Sequence, residues 1–110
     1  MEIVFHIHDA EISDRMRRRA EQMLRKVARR AHRPVDAVIR FREDGPTRRV
    51  ELVLHTAQGR RYLAGAESRY FGTAIADATR KLARQLDHTK RTPKARAKQR
   101  ARAGAGAGAA

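Results

Sequence analysis

Basic side chains recur on one face of each of two segments that have the periodicity of amphipathic helices. The guanidinium group of arginine is a planar fork that can donate two hydrogen bonds to one phosphate. Several such groups on a rigid face predict a surface for a polyanion, most often nucleic acid. The candidate nucleic-acid-binding residues are Arg18, Arg25, Lys26 and Arg29 in the first segment and Arg80, Lys81, Arg84, His88, Lys90 and Arg91 in the second.

Other chemistries have weaker support in the sequence. His6 and His8 share one face of a predicted strand and His55 could join them, but no spacing fixes a further ligand, so we expect no metal site. The chain has no G-x-S-x-G motif and no phosphate-cradling glycine loop, and the acid pair Glu43 and Asp44 lies in a predicted turn. We therefore expect no enzymatic activity, no cofactor and no small-molecule substrate.

The chain is basic in two separable parts. Its 110 residues contain 26 Lys and Arg against 12 Asp and Glu, a net charge of +14. Seven of the basic residues lie from Lys90 onward, which leaves 19 basic and 12 acidic groups, a net of +7, in residues 1–89. We expect one domain over residues 1–91 and a basic, Ala/Gly-rich disordered tail over residues 92–110.

Composition and hydropathy favour a cytoplasmic protein. The chain has no cysteine, which excludes a disulfide scaffold and is compatible with a reducing compartment. Residues 1–8 lack the basic leader and apolar run of a signal peptide. No segment approaches the roughly 18 apolar residues that a membrane span needs. We expect a monomer in solution with no membrane partner.

The first two predicted elements are a strand and an amphipathic helix. Alternation over residues 2–8 predicts a strand with one core face. Ser13 is the expected N-cap of a helix that runs to about Ala31. The apolar stripe of this helix is Ile12, Met16, Ala20, Met23, Leu24, Val27 and Ala31. At about 100° per residue, the basic residues of the first segment lie opposite or beside this stripe.

Three strand-like segments follow the helix stop at Arg33-Pro34. Turns are expected at residues 43–46 and at Gln58-Gly59, and such short connections predict an antiparallel meander. The segments are Val35 to Arg42, Arg48 to Thr56 and Gln58 to Ala66. In the last segment the pattern leaves open which side chains face the core: Tyr62, Ala64 and Ala66, or Leu63 and Gly65.

A second amphipathic helix is expected between a cap at Ser68 and a stop at Thr92-Pro93. Its apolar stripe is Phe71, Ile75, Ala78, Leu82 and Leu86. The order of elements predicts an α+β fold, β-α-β-β-β-α, in which a four-stranded sheet carries two helices on one face, similar to a double-stranded RNA-binding fold. The open sheet face lacks the paired aromatic residues on which single-stranded bases stack.

Several of these segments resemble one protein family. They are Ala64 to Glu67, the run Lys81-Leu82-Ala83-Arg84-Gln85-Leu86 with the basic residues up to Lys90, the first strand Glu2 to His8, and Ile12 and Leu24. Over roughly residues 1–91 they resemble the ribosome hibernation promoting factor and ribosome-associated inhibitor family, in a short form without a C-terminal dimerisation domain. The run K-L-A-R-Q-L is the most specific part.

The resemblance implies a domain that binds ribosomal RNA of the small subunit at the decoding region and blocks the mRNA and tRNA sites of stationary or stressed bacteria. Carried over by position, the family's basic contacts in the second helix fall on Lys81, Arg84 and Lys90. Those of the first helix fall on Arg18, Arg25, Lys26 and Arg29. Three positions depart from the family pattern, namely Tyr70, Gly72 and Ala76.

Two other functions are compatible with the residues. A general RNA chaperone or nucleoid-type protein would bind mainly through the basic tail, and any RNA would compete for it. A regulatory partner of an acidic protein would show no competition by RNA. The first alternative differs from the ribosome hypothesis in the segment that binds, and the second differs in the partner.

Overall fold

A computed structural model describes the backbone of residues 1–91 and the side chains of residues 1–89. The predicted tail, residues 92–110, lies outside the described residues. The elements are β1 (Glu2–His8), α1 (Asp14–Ala28), β2 (Pro34–Asp44), β3 (Thr47–Thr56), a 3-10 turn (Ala57–Gly59), β4 (Arg61–Ser68) and α2 (Phe71–Arg91). The predicted α+β order β-α-β-β-β-α is confirmed. No helix of the described part is long and apolar enough to cross a membrane.

The four strands form one sheet in the order β1-β2-β3-β4. β1 and β2 are parallel, with Phe5 opposite Ile39, because α1 carries the chain back to the starting end of the sheet. β2, β3 and β4 are antiparallel neighbours, as predicted, with Leu52 opposite both Ile39 and Ala64. β1 and β4 are therefore the two edge strands.

One face of the sheet is buried beneath both helices. Alternate residues of each strand lie on this face, and Ala64 and Ala66 are buried while Leu63 is 49% exposed on the other side. The face of β4 that the sequence left open is therefore the one with Tyr62, Ala64 and Ala66. The largest fully buried side chains of the core are Leu24, Ile39, Phe41, Val50, Leu52, Leu54, Ile75, Leu82 and Leu86.

Three phenylalanine rings connect the sheet to α2. Phe41 is fully buried, and its ring is stacked near that of Phe5, with the centroids 6.3 Å apart. The ring of Phe71 meets Phe41 edge-on at 5.4 Å. Since Phe71 is the first residue of α2, this contact fixes the start of that helix on the sheet.

The predicted start of α1 is correct, whereas the predicted end of α1 and the predicted start of α2 are wrong. Ser13 is the N-cap of α1, because its hydroxyl accepts a hydrogen bond of 3.1 Å from the Met16 amide. α1 ends at Ala28 rather than near Ala31. The Ala31 amide donates a hydrogen bond of 2.9 Å to the Ala28 carbonyl, three residues earlier, instead of the α-helical bond to the residue four positions earlier. Ala31 nevertheless packs against the core from the loop.

Ser68 does not cap α2, contrary to the expectation. It is the last residue of β4, and its hydroxyl accepts a hydrogen bond of 3.4 Å from the Tyr70 amide in the short connection between β4 and α2. The first helical hydrogen bond runs from the Ala74 amide to the Tyr70 carbonyl at 3.0 Å, so α2 begins two positions later than a cap at Ser68 requires.

The strands also differ in length from the expectation. β2 ends at Asp44 and β3 begins at Thr47, so the turn between them is shorter than predicted. β4 starts at Arg61 rather than Gln58, because Gln58 and Gly59 have φ of 74° and 73°. This left-handed conformation belongs to a tight turn and is incompatible with an extended strand.

Replacing Phe41 with alanine should lower the free energy of unfolding by about 3–5 kcal/mol, because a fully buried aromatic ring is lost and a cavity remains. Urea denaturation followed by circular dichroism measures the change. Tyr70→Ala is the matched control: Tyr70 is 70% exposed, so its loss should change stability by less than about 0.5 kcal/mol. Equal effects of the two substitutions would contradict this description of the core.

Candidate nucleic-acid interface

α1 and α2 lie side by side and run in the same direction. Near their starts, a Cβ added to Gly72 of α2 would lie 3.9 Å from the Met16 side chain of α1. Just beyond the end of α1, Arg30 forms an ion pair of 2.8 Å with Asp87 of α2. The two contacts are 14 residues apart along the first segment and 15 along the second. The outer faces of the helices therefore form one continuous surface.

The outer face of α1 carries most of the predicted cations in accessible positions. Arg18, Lys26 and Arg29 are exposed, and within the described residues none has an ion-pair or hydrogen-bond partner. Arg25 is exposed but engaged, since its guanidinium donates to the Met1 carbonyl at 3.0 Å and lies 3.6 Å from the Glu21 carboxylate. Three of the four predicted residues of α1 thus present unpaired charge.

Two further arginines of α1 were missing from the predicted set. Arg15 and Arg19 are exposed and have no partner in the described part of the chain. Arg15 follows from the same period of 100° per residue, which places it about 140° from the buried Ala20, on the flank of the outward arginines. Arg17, by contrast, lies over the ring of Phe5 at 5.7 Å from its centroid and is a packing residue.

The cations of α2 are less uniform. Arg84 is exposed and, among the described residues, unpaired. Arg80 forms an ion pair of 3.0 Å with Asp77, one turn away on the same helix. His88 is exposed. The side chains of Lys90 and Arg91 lie outside those described.

Lys81 does not project freely from α2. Its ammonium group donates to the Gly65 carbonyl at 2.9 Å, and Gln85, one turn further, donates to the Leu63 carbonyl at 2.7 Å. Both acceptors belong to the edge strand β4, which among the described residues has no strand on its outer side. The two side chains therefore attach α2 to the edge of the sheet, a role that periodicity alone does not reveal.

We call the exposed and unpaired basic residues of the two helices the helix-face cations. They are Arg15, Arg18, Arg19, Lys26, Arg29 and Arg84. Their charge is not neutralised by neighbouring acids, and their backbone positions are fixed by the buried stripes beneath them. This arrangement is suited to binding phosphates of a structured nucleic acid.

The open sheet face has a different character, because most of its charges are paired across strands. Arg40 lies 3.1 Å from Glu51, and His55 Nδ1 lies 2.6 Å from the Asp36 carboxylate. In the sheet His55 is opposite Asp36, whereas His6 and His8 are opposite Arg40 and Arg42. The three histidines considered as metal ligands are therefore not neighbours. Within residues 1–89 no three His, Asp or Glu side chains are grouped so as to hold a metal ion.

Comparison with protein families and solved structures identifies the relatives of this domain. The family model described as Sigma 54 modulation protein / S30EA ribosomal protein matches residues 3–94. The chain belongs to this family. The resemblance to hibernation promoting factors is thereby confirmed, and the family is one of ribosome-associated modulation proteins. No curated protein matches the sequence.

Two solved structures share the fold of this family member. A ribosomal subunit interface protein from Coxiella burnetii superposes with a TM-score of 0.72 at 20% identity, covering 82% of this chain and 98% of that one. The N-terminal domain of Protein Y from Thermus thermophilus gives 0.66 at 20% identity, covering 80% and 94%. The mixed four-stranded sheet with two helices on one face is therefore an established architecture.

The three departures from the family pattern occupy different environments in the S30EA domain. Tyr70 is exposed just before α2. Gly72 faces Met16 of α1 and so lies at the contact between the helices. Ala76 is partly buried. Of the three residues, only Tyr70 has a side chain that is mostly exposed to solvent and therefore accessible to a partner.

Replacing both Lys81 and Gln85 with alanine should lower the free energy of unfolding by about 1–2 kcal/mol, because two hydrogen bonds to the edge of β4 are lost. Arg84→Ala, between them on the same helix, should change stability by less than about 0.5 kcal/mol. Urea denaturation of the three proteins tests this. If the double variant is as stable as Arg84→Ala, the two side chains do not hold α2 on the sheet.

Proposed function

We propose that this protein binds the small ribosomal subunit at the decoding region and blocks the mRNA and tRNA sites by occupancy, as a hibernation factor. Membership of the S30EA family supports association with the ribosome. The observation that carries the proposal further is the set of six unpaired cations on one rigid helical surface. Ribosomal RNA is the partner that such a surface fits.

The geometry favours recognition of folded RNA by its backbone. Side chains on two parallel helices have fixed separations, so they can match the positions of phosphates only if the RNA is itself structured. Each phosphate that is neutralised releases counterions. For six contacts the logarithm of the affinity should fall with the logarithm of salt concentration with a slope of about −4 to −5.

Occupancy requires no catalysis. The helix-face cations bind through charge and hydrogen bonds, and no reacting group takes part in the proposal. The protein would act in the cytoplasm as a monomer in solution, with the small subunit and its ribosomal RNA as partners. Sedimentation of a stationary-phase lysate would test when this association occurs.

The basic tail supports a second candidate function, that of a general RNA-binding chaperone or nucleoid-type protein. Residues 90–102 contain seven Lys and Arg and no acid. If these residues dominate, deleting residues 92–110 removes most of the affinity and unrelated RNA competes as well as ribosomes do. If the helical surface dominates, the shortened protein keeps most of its binding to small subunits.

The variant Arg18→Gln, Lys26→Gln, Arg84→Gln tests the helical surface. Loss of three phosphate contacts should weaken binding to purified small ribosomal subunits roughly 10- to 100-fold and reduce the salt slope by about 2–3. Co-sedimentation across a salt series measures both quantities. These residues are better targets than Lys81, whose substitution also removes a hydrogen bond within the fold.

A control with the same loss of charge is Arg40→Gln, Arg42→Gln, Arg49→Gln on the open sheet face. Arg40 and Arg49 pair with carboxylates there, and exposed pairs of this kind contribute little to stability. The control should bind within about threefold of the unmodified protein. Equal losses in the two variants would show that net charge, rather than the helical surface, determines binding.

A further inference from the structure

A second group of unpaired arginines lies at one end of the domain, next to the helix-face cation Arg29, which is the C-cap of α1. Arg33 belongs to the loop between α1 and β2, Arg60 follows the 3-10 turn, and Arg61 begins β4. All three are exposed, and within the described residues none of their side chains has an ion-pair or hydrogen-bond partner. We call these three residues the basic end.

Backbone hydrogen bonds join the two loops of the basic end. The Ala57 amide donates to the Arg33 carbonyl at 2.9 Å, and the Thr56 amide donates to the Arg60 carbonyl at 2.9 Å. Arg33 has φ of 53°, a left-handed conformation that few non-glycine residues adopt, and Pro34 after it restricts the backbone further. The arginines therefore extend from a backbone of defined shape.

The acids near the basic end leave its charge largely intact. Residues 29–35 and 57–61 contain no Asp or Glu. Asp36 is held by His55 at 2.6 Å and Asp87 by Arg30 at 2.8 Å, so that Glu2 is the unpaired acid of this end within the described residues. The opposite end, where both helices begin, contains acids and arginines together. Its acids are Asp9, Glu11, Asp14, Glu43, Asp44 and Glu67, of which three are paired, and its arginines include Arg15, Arg42, Arg48 and Arg69.

The usual reason for cations near helix carboxyl ends explains only part of this charge. Both helices end on this side, and a basic residue in a last helical turn is stabilised by the helix dipole. That effect accounts for Arg25 and Lys26 in the last turn of α1. It does not account for the basic end, because the dipole falls off within one turn and these arginines lie in loops and on a strand.

We propose that the basic end is a second binding surface for the RNA backbone, adjoining the helix-face cations at Arg29. The partner is a polyphosphate chain rather than an acidic protein, because the adjoining helix-face cations face ribosomal RNA in the proposed complex. Arginine binds phosphates through two hydrogen bonds, as it does carboxylates. Chain continuity adds to this: α2 ends on the same side, so the seven basic residues from Lys90 onward begin there. The inference rests on the proposed function, since it adds contacts to the same complex.

The test measures how tightly the full-length variant Arg33→Gln, Arg60→Gln, Arg61→Gln binds purified small ribosomal subunits across a salt series. Loss of three phosphate contacts should reduce the salt slope by about 2–3 and weaken binding roughly 10- to 100-fold. Circular dichroism and urea denaturation establish that the variant is folded. Glutamine preserves the backbone bonds, because these involve only main-chain atoms at Arg33 and Arg60.

The matched control is Arg40→Gln, Arg42→Gln, Arg69→Gln, which removes the same number of positive charges from exposed positions. None of the three belongs to the helix-face cations or to the basic end, so the control should lower the slope by less than about 1.

The possible results separate this inference from the proposed function. A larger loss for the basic-end variant than for the control supports the second surface. If the basic-end variant matches the control while the helix-face variant is weakened, the second surface is wrong and the proposed function stands. If the unmodified protein does not bind small subunits, both are wrong. Competition by polyglutamate as strong as that by RNA would overturn the choice of an RNA backbone as the partner.

Discussion

Burial of one sheet face beneath two parallel helices is the constraint on which the rest of the structure depends. Each helix has one apolar stripe, and with both stripes against the same face the basic sides of both helices must point outward together. The parallel direction has a second consequence. Both helices begin at the end that contains Asp9, Glu11 and Asp14 and finish at the end that contains Arg33, Arg60 and Arg61. The distribution of charge is therefore set by the topology as much as by composition.

The run K-L-A-R-Q-L combines three structural roles within six residues. Leu82 and Leu86 are buried in the core, while Lys81 and Gln85 bind the outward carbonyl groups of β4. Only Arg84 projects to solvent without a partner in the described part of the chain. An uncovered edge strand is a site for unwanted pairing with another chain, and α2 protects this one. The run thus preserves the fold and contributes one exposed cation to the helical surface.

The sequence predicted what depends on periodicity and missed what depends on local hydrogen bonds. Apolar repeats gave both helices, four strands and the outward direction of Arg18 and Arg84. The face of β4 was undecided because its small residues alternate too weakly. Ser68 was wrongly assigned as a cap because its type fits a cap or a turn equally well. The attachment of Lys81 to β4 depends on which strand lies beside α2, and that is known only from the folded chain.

The separation of charge along the strand direction gives the proposed complex an orientation. A uniformly basic domain would attract RNA from every side and bind it in many arrangements. Here the end where the helices begin holds acids and arginines together, whereas unpaired cations predominate on the helix faces and at the opposite end. Blocking a defined region of the ribosome requires one bound arrangement rather than general affinity. In the proposed complex, this uneven distribution would favour the orientation in which those cations meet the phosphates.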